Sequence, residues 1–382
     1  MLDMKRYEQV FFSILRSGMW GSPVEIPEGF DGWDRVVRLA KTQSVLGVAG
    51  DVMLSDERIS ESIPVDMKGK LRSFMMNNMM THAKLNSVLA HVVSTLRNAG
   101  VPSVLLKGQG LAAYYPKPEL RQCGDIDLYV GRENYTKAYD VLKPLASEID
   151  DRKAMDVGKH YHVSFGRIMI EVHRYCNKYP SKKLNDKFQA ISKEGLSRGL
   201  VSFEAGGVRV DTPSDTFNAF YVFDHLFHHF LTSGIGFRQI CDWMRFLHVR
   251  RNGIDKDGLR RLIEDMGMEA PWKAFGCVLV DVLGMPSEDF PLYDPSYEGK
   301  VDPIVRRILE EGNFGKERDV YKKRGSVYLL NKTRSFIAHV GRTFRLFLVF
   351  PSNAFAQFSG TMKGGFAAVW NDARIRFGGK SE

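Results

Sequence analysis

Asp125 and Asp127 stand one residue apart in Gly124-Asp-Ile-Asp-Leu-Tyr-Val130. That spacing is the period of a β-strand, which turns both carboxylates to one face and Ile126 to the other. Two like charges on one strand face repel unless a cation sits between them, and a divalent metal is the simplest explanation; a lone Asp-x-Asp is otherwise a solvated strand end or turn. A third acid, Glu171, lies in Ile168-Met-Ile-Glu-Val-His173, alternating against Ile170 and Val172. The runs 160–165 and 168–173 flank Gly166-Arg167 and read as a hairpin. A strand beside that of Asp125 and Asp127 would then present three carboxylates to one cleft. Hard oxygen ligands suit Mg2+, which shares its remaining positions with water and substrate phosphates. Two such ions would activate an attacking hydroxyl and stabilise a leaving pyrophosphate.

The residues upstream are those needed to position this chemistry. Val104 to Leu106 is an apolar strand run, Lys107-Gly108 turns the chain, and a short helical segment follows through Leu111 to Tyr115. Gly108 either serves a positive φ in a plain strand-to-helix turn or, with Lys107, holds phosphate at the helix N-terminus. Arg121, after the loop Pro116 to Pro118, is a loop residue or a phosphate clamp. His173 either orients Glu171 or ends the strand. Glu133 to Lys143 reads as a crossover helix with Tyr135, Ala138, Tyr139 and Leu142 inward, stopped by Pro144.

The order strand, glycine turn, helix, Asp-x-Asp strand and later single acid resembles the DNA polymerase β-type nucleotidyltransferase superfamily. LLKGQGLAAYYPKPELRQCGDIDLYV followed by MIEVHRY is most similar to its uncharacterised bacterial nucleotidyltransferase group, over residues 101–175. The superfamily's usual turn is Gly-Ser, whereas this chain has Lys107-Gly108. The resemblance implies an α+β fold: a nucleotidyltransferase module, a mixed sheet with flanking helices, between N- and C-terminal helical regions. It also implies that a following helix carrying Arg238 and Asp242 lines the cleft.

Composition bounds the rest. A chain of 382 residues can bury a substantial core and is expected to divide into two or three domains. Its 44% hydrophobic and 12% aromatic content is that of a globular protein, not a disordered one. Cys123, Cys176, Cys241 and Cys277 lie far apart with no Cys-x-x-Cys pair, which fits reduced thiols of a cytosolic protein and argues against a cysteine zinc site. Asp3, Lys5, Arg6 and Glu8 interrupt the N-terminus, unlike a signal peptide. The run Phe344 to Phe350 is too short to cross a bilayer.

Helical spacing marks Tyr7 to Leu15, then Val36 to Val48, then a long stretch from Val65 to Asn98 ending at Gly100. Met75, Met76, Met79 and Met80 on that stretch read as core packing. Val208 to Val210 reads as a closing strand, and Asp211 to Ser214 as a helix start. Beyond Ser214 an aromatic stripe carries His225, His228 and His229. The spacing of His225 and His229 is that of a helical metal pair, but Leu226 stands where a zinc protease needs Glu. A packed histidine cluster and a substrate-facing one remain the two readings. Arg238 and Asp242 are spaced to pair along a helix. Residues 316–382 carry thirteen Lys and Arg against four acids, a surplus equal to the whole chain's formal charge of +9. Interleaved with aromatics, this tail reads as a packed helix with a basic edge, and as a weak RNA or anionic-surface binder.

The domains expected are a helical region at 1–100, a catalytic module at 101–212, a helical domain lining the cleft at 213–315 and the basic region at 316–382. The expected activity is cytoplasmic and Mg2+- or Mn2+-dependent transfer of a nucleoside monophosphate from an NTP, such as ATP, to an unidentified acceptor. Asp125, Asp127 and Glu171 would be catalytic and metal-binding, Lys107, Gly108 and Arg121 nucleotide-binding. His173, His225, Arg238 and Asp242 would face the acceptor. The alternative is a non-catalytic nucleotide-binding or scaffold protein that retains the fold.

Overall fold

The computed structural model describes residues 4–152, 158–179, 181–313 and 350. The chain opens with α1 (Arg6–Trp20), α2 (Trp33–Thr42), α3 (Leu46–Ser55) and α4 (Glu57–Ser62). Val10, Phe11, Ile14 and Leu15 fall on one face of α1 and are buried. Asp56 accepts the backbone N–H groups of Arg58 and Ile59 and so caps α4.

Helix α5 (Val65–Asn98) is a 34-residue strut that enters two separate apolar clusters. Near its start Met67 and Leu71 join a cluster with α1 to α3; further on Leu85, Leu89, Val92, Val93 and Leu96 pack under the sheet. Between the two, Met76, Met79 and Met80 are 60%, 40% and 51% exposed. Core packing was expected of them. Only Met75 of the four leans on the first cluster, because among the described residues the middle of this helix, which bridges two cores, has no layer over its outer side.

The site rests on a five-stranded mixed sheet in the order β1-β2-β5-β4-β3. Its strands are β1 (Val104–Leu105), β2 (Ile126–Tyr129), β3 (Glu148–Ile149), β4 (His160–Phe165) and β5 (Ile168–His173). The short helix α6 (Gln109–Ala112) follows β1, and α7 (Gly131–Leu142) follows β2. β2 and β5 are parallel neighbours, which brings Asp127 level with Glu171. β4 and β5 form the expected hairpin, with Gly166 at φ 61°. Alternation sorts the sheet cleanly. Ile126, Leu128, Tyr161, Val163, Ile170 and Val172 pack against α5 and α7, leaving the opposite face to the polar set.

After α8 (Lys182–Gly195) come β6 (Val201–Ala205) and β7 (Val208–Thr212). The strand at Val208 was expected to close the sheet. It pairs with β6 in a separate two-stranded ribbon instead. The reason is local: Gly206 and Gly207 both take positive φ, 56° and 76°, so a tight hairpin satisfies the strand before it can reach the sheet.

Helices α9 (Asp215–Thr232), α10 (Phe237–Arg250), α11 (Lys256–Asp265), α12 (Glu269–Cys277) and α13 (Val301–Glu311) complete the described residues. Phe223, Trp243 and Trp272 meet with ring centroids 4.8 to 5.1 Å apart. This aromatic centre is continuous with the core of α1 to α3. Phe350 is buried against Phe227, Phe230 and Phe275. The rest of the basic region lies outside the described residues. Among the described residues no helix is long and apolar enough to cross a membrane, and all four cysteines are free thiols.

Candidate active site

The cleft is built where the polar face of the sheet meets α9 and α10. It has a volume of about 310 Å³, and its lining includes Asp125, Asp127 and Glu171 together with Lys107, Gly108 and Arg121. A larger hollow of about 1030 Å³ beside α1, near Asp281 and Glu298, holds none of these residues.

Asp127 is the hub. The Leu106 N–H donates to its backbone carbonyl at 2.9 Å, so β1 delivers Lys107 to its side. Lys107 Nζ lies 3.1 Å from Asp127 Oδ2 and 2.6 Å from His225 Nε2. His173 Nε2 reaches Asp127 Oδ1 at 3.1 Å and Glu171 Oε2 at 3.3 Å. His173 therefore links the two acids rather than merely ending its strand. Burial favours a neutral Asp127, but Lys107 and His173 outweigh it and hold its carboxyl well below the usual range. Burial also opposes ionisation of Glu171, yet the hydrogen bond from His173 leaves that group lowered. Burial would lower His173, but its bonds to Asp127 and Glu171 raise it. Asp125, at the entrance to β2, is raised by burial and then by the Asp127 charge.

Gly108 holds the turn in a conformation open to glycine. Its φ of 64° with ψ of −117° is closed to ordinary L-residues, and an added Cβ would stand 3.3 Å from the Asp125 carbonyl.

On the opposite wall Arg121 is spoken for. It is buried, and its Nε and Nη2 each meet an Asp242 oxygen at 2.7 Å. Tyr115 donates to the same carboxylate at 2.7 Å. The i, i+4 spacing allowed Asp242 to pair with Arg238 along α10. It prefers Arg121 because that guanidinium arrives in the plane needed for a bidentate bond inside the protein. Arg238 donates instead to the Gln122 carbonyl at 2.9 Å, and its Nε is buried without a hydrogen-bond partner among the described residues. Burial and then Arg121 lower its pKa. Of the expected acceptor-side residues, His225, Arg238 and Asp242 line the cleft, and His173 lies beneath it.

The histidines of α9 divide. His225 and His229 line the cleft; burial, then the Lys107 charge, lowers His225 well below its ordinary value and His229 to about 3. A neutral His225 thus accepts the Lys107 ammonium proton's hydrogen bond. Sequence reasoning passed over Lys159, His160 and Gln239, which also line the cleft. The hairpin held the signal for one of them: a two-residue turn at Gly166-Arg167 sets His160 opposite His173.

The sequence profile of a family described as uncharacterised nucleotidyltransferase matches residues 31–283. The chain belongs to this family. The match runs from α2 past α12, far beyond the stretch that carries the motifs, so the helical walls of the cleft are part of what this nucleotidyltransferase family shares. The crystal structure of an antigenic nucleotidyltransferase-like protein from Paracoccidioides brasiliensis is similar at 12% identity and a TM-score of 0.32, covering 56% of this chain and 95% of that one. No curated protein matches the chain. Two carboxylates converge on the buried His173 Nε2, and Asp125 beside them is raised by burial and then by like charge; oxygen donors gathered in this way are of the type that suits divalent cations.

Proposed function

We propose that this family member transfers a nucleoside monophosphate from an NTP to an acceptor hydroxyl. The observation that carries the reading is the level pairing of Asp127 and Glu171 on adjacent parallel strands, beside the Lys107-Gly108 turn. Asp125, Asp127 and Glu171 would hold Mg2+ or Mn2+, which supplies charge neutralisation for the phosphates and for the departing pyrophosphate. The acceptor oxygen attacks the α-phosphorus, the bond to the bridging oxygen breaks, and pyrophosphate leaves with that electron pair. Glu171, ionised in the cleft, takes the acceptor's proton. The Gly108 turn offers backbone N–H groups to phosphate oxygens, and Lys107 adds a charge within reach of them. Arg238 is better placed than Arg121 to bind an incoming anion, because Asp242 already holds the Arg121 fork.

Incubating the full chain with each labelled NTP, Mg2+ and a cell extract tests this reading. Label should appear in an acceptor and pyrophosphate should be released, both abolished in Asp127→Asn. Pyrophosphate-free, Asp127-independent behaviour under every NTP would favour a scaffold that retains the fold.

A further inference from the structure

We propose that His160, Glu171 and His173 form a site for a divalent first-row transition ion of the Mn2+ to Zn2+ series, held in part by imidazole nitrogen. His160 Nδ1, His173 Nε2 and a Glu171 carboxylate oxygen all lie within 4.8 Å of one another. Both nitrogens stand close to the same Oε2 of Glu171, at 3.2 and 3.3 Å. Bonds of about 2.0–2.1 Å to a shared ion place tetrahedral ligand atoms roughly 3.3 Å apart, so these two edges already have a metal polyhedron's length.

Three further observations point to a ligand. His160 Nδ1 is buried and has no hydrogen-bond partner among the described residues, although Glu171 is 3.2 Å away. The two atoms are close without the alignment a hydrogen bond needs, whereas an ion between them would use both lone pairs. His173 Nδ1 faces the Tyr175 carbonyl at 3.4 Å, the kind of outer contact that leaves Nε2 as the metal-binding nitrogen. Asp127 Oδ1, 3.1 Å from that Nε2, is in reach as a fourth donor. The β4–β5 register creates the group by setting His160 opposite His173, with Glu171 two residues before His173 on β5.

The donor types select the ion. Mg2+ takes oxygen ligands and keeps its waters, whereas imidazole suits the later first-row ions. On binding, the ion takes the place of the His173 Nε2 proton, which leaves to solvent. The proposal deepens the nucleotidyl-transfer reading, since Glu171 belongs to both, but ion binding needs neither nucleotide nor turnover.

The test uses the full chain stripped with a chelator and titrated with Co2+ without nucleotide. One equivalent should bind with a visible absorption band characteristic of nitrogen ligation, resist excess Mg2+ and yield to Zn2+. His160→Ala should weaken Co2+ binding at least about tenfold, while His228→Ala, on α9, should bind as wild type. Pulsed magnetic resonance of Mn2+ bound to the unmodified chain should detect coupling to imidazole nitrogen, a readout independent of how any variant folds. Displacement of Co2+ by Mg2+, loss of binding in His228→Ala rather than His160→Ala, or absent nitrogen coupling would each overturn the proposal. The cluster would then be a hydrogen-bonded salt bridge only. A failed transfer assay with intact Co2+ binding would instead refute the reaction and leave the metal site standing.

Discussion

Asp127 carries more of the site than any other single residue, because a lysine and a histidine both spend their charge on it. Mg2+ with NTP should raise the melting temperature of the wild-type chain, since a ligand of the native state stabilises by mass action. In Asp127→Asn that metal-dependent rise should vanish while the apo chain stays folded; equal shifts in a thermal scan would sink the site. The neutral histidines give a pH prediction of definite sign. His229 falls to about 3 and His225 is also lowered, so the folded state resists protonation that the unfolded chain accepts near 6.5. Their stabilisation is complete above about pH 6.5 and is lost as pH falls toward the folded values, on the order of 1–2 kcal/mol per imidazole by pH 5. Denaturant melts at pH 7.5 and 5 should therefore differ, and His229→Gln should lose part of the difference. An unchanged slope in that variant would show that other groups set it.

At the scale of elements, the Lys107-Gly108 turn and helix α5 make opposite predictions about tolerance. Gly108→Ala forces a side chain into a backbone region closed to it, costing about 1–3 kcal/mol and displacing the amides proposed to hold phosphate. Nucleotide binding should fall more than stability does, as read by parallel titration and melting. On α5, Leu89→Ala empties a fully buried position and should cost about 2–5 kcal/mol. Met80→Gln, on the exposed middle of the same helix, should stay within about 0.5 kcal/mol in the same denaturant series. Both residues belong to one helical pattern in the sequence, yet periodicity cannot say where along a long helix the neighbouring layers stop.

For the whole molecule, the helices at the two ends of the described chain share one core, in which Phe350 closes over Phe227, Phe230 and Phe275. Phe350→Ala should cost about 3–5 kcal/mol, a loss that chemical denaturation would detect. Wild-type stability in that variant would mean the ring is replaceable there. Truncation before Lys316 removes this ring together with the basic surplus. If the tail binds RNA, full-length protein should show weak, steeply salt-dependent binding that Phe350→Ala retains and truncation abolishes.

By itself the sequence determined the local facts: the strand period that turns Asp125 and Asp127 together, the hairpin at Gly166-Arg167, the crossover helix, and the glycine at a positive-φ turn. These follow from chain chirality and from residues a few positions apart. Only the tertiary structure decided that Arg121 takes Asp242 from Arg238 and that His225 meets Lys107. Such pairings join residues distant in the chain, or several hydrogen-bonding choices of similar local quality. The winner is the one whose partners the packed core holds at the right distance and desolvates, a quantity with no signature in neighbouring residues.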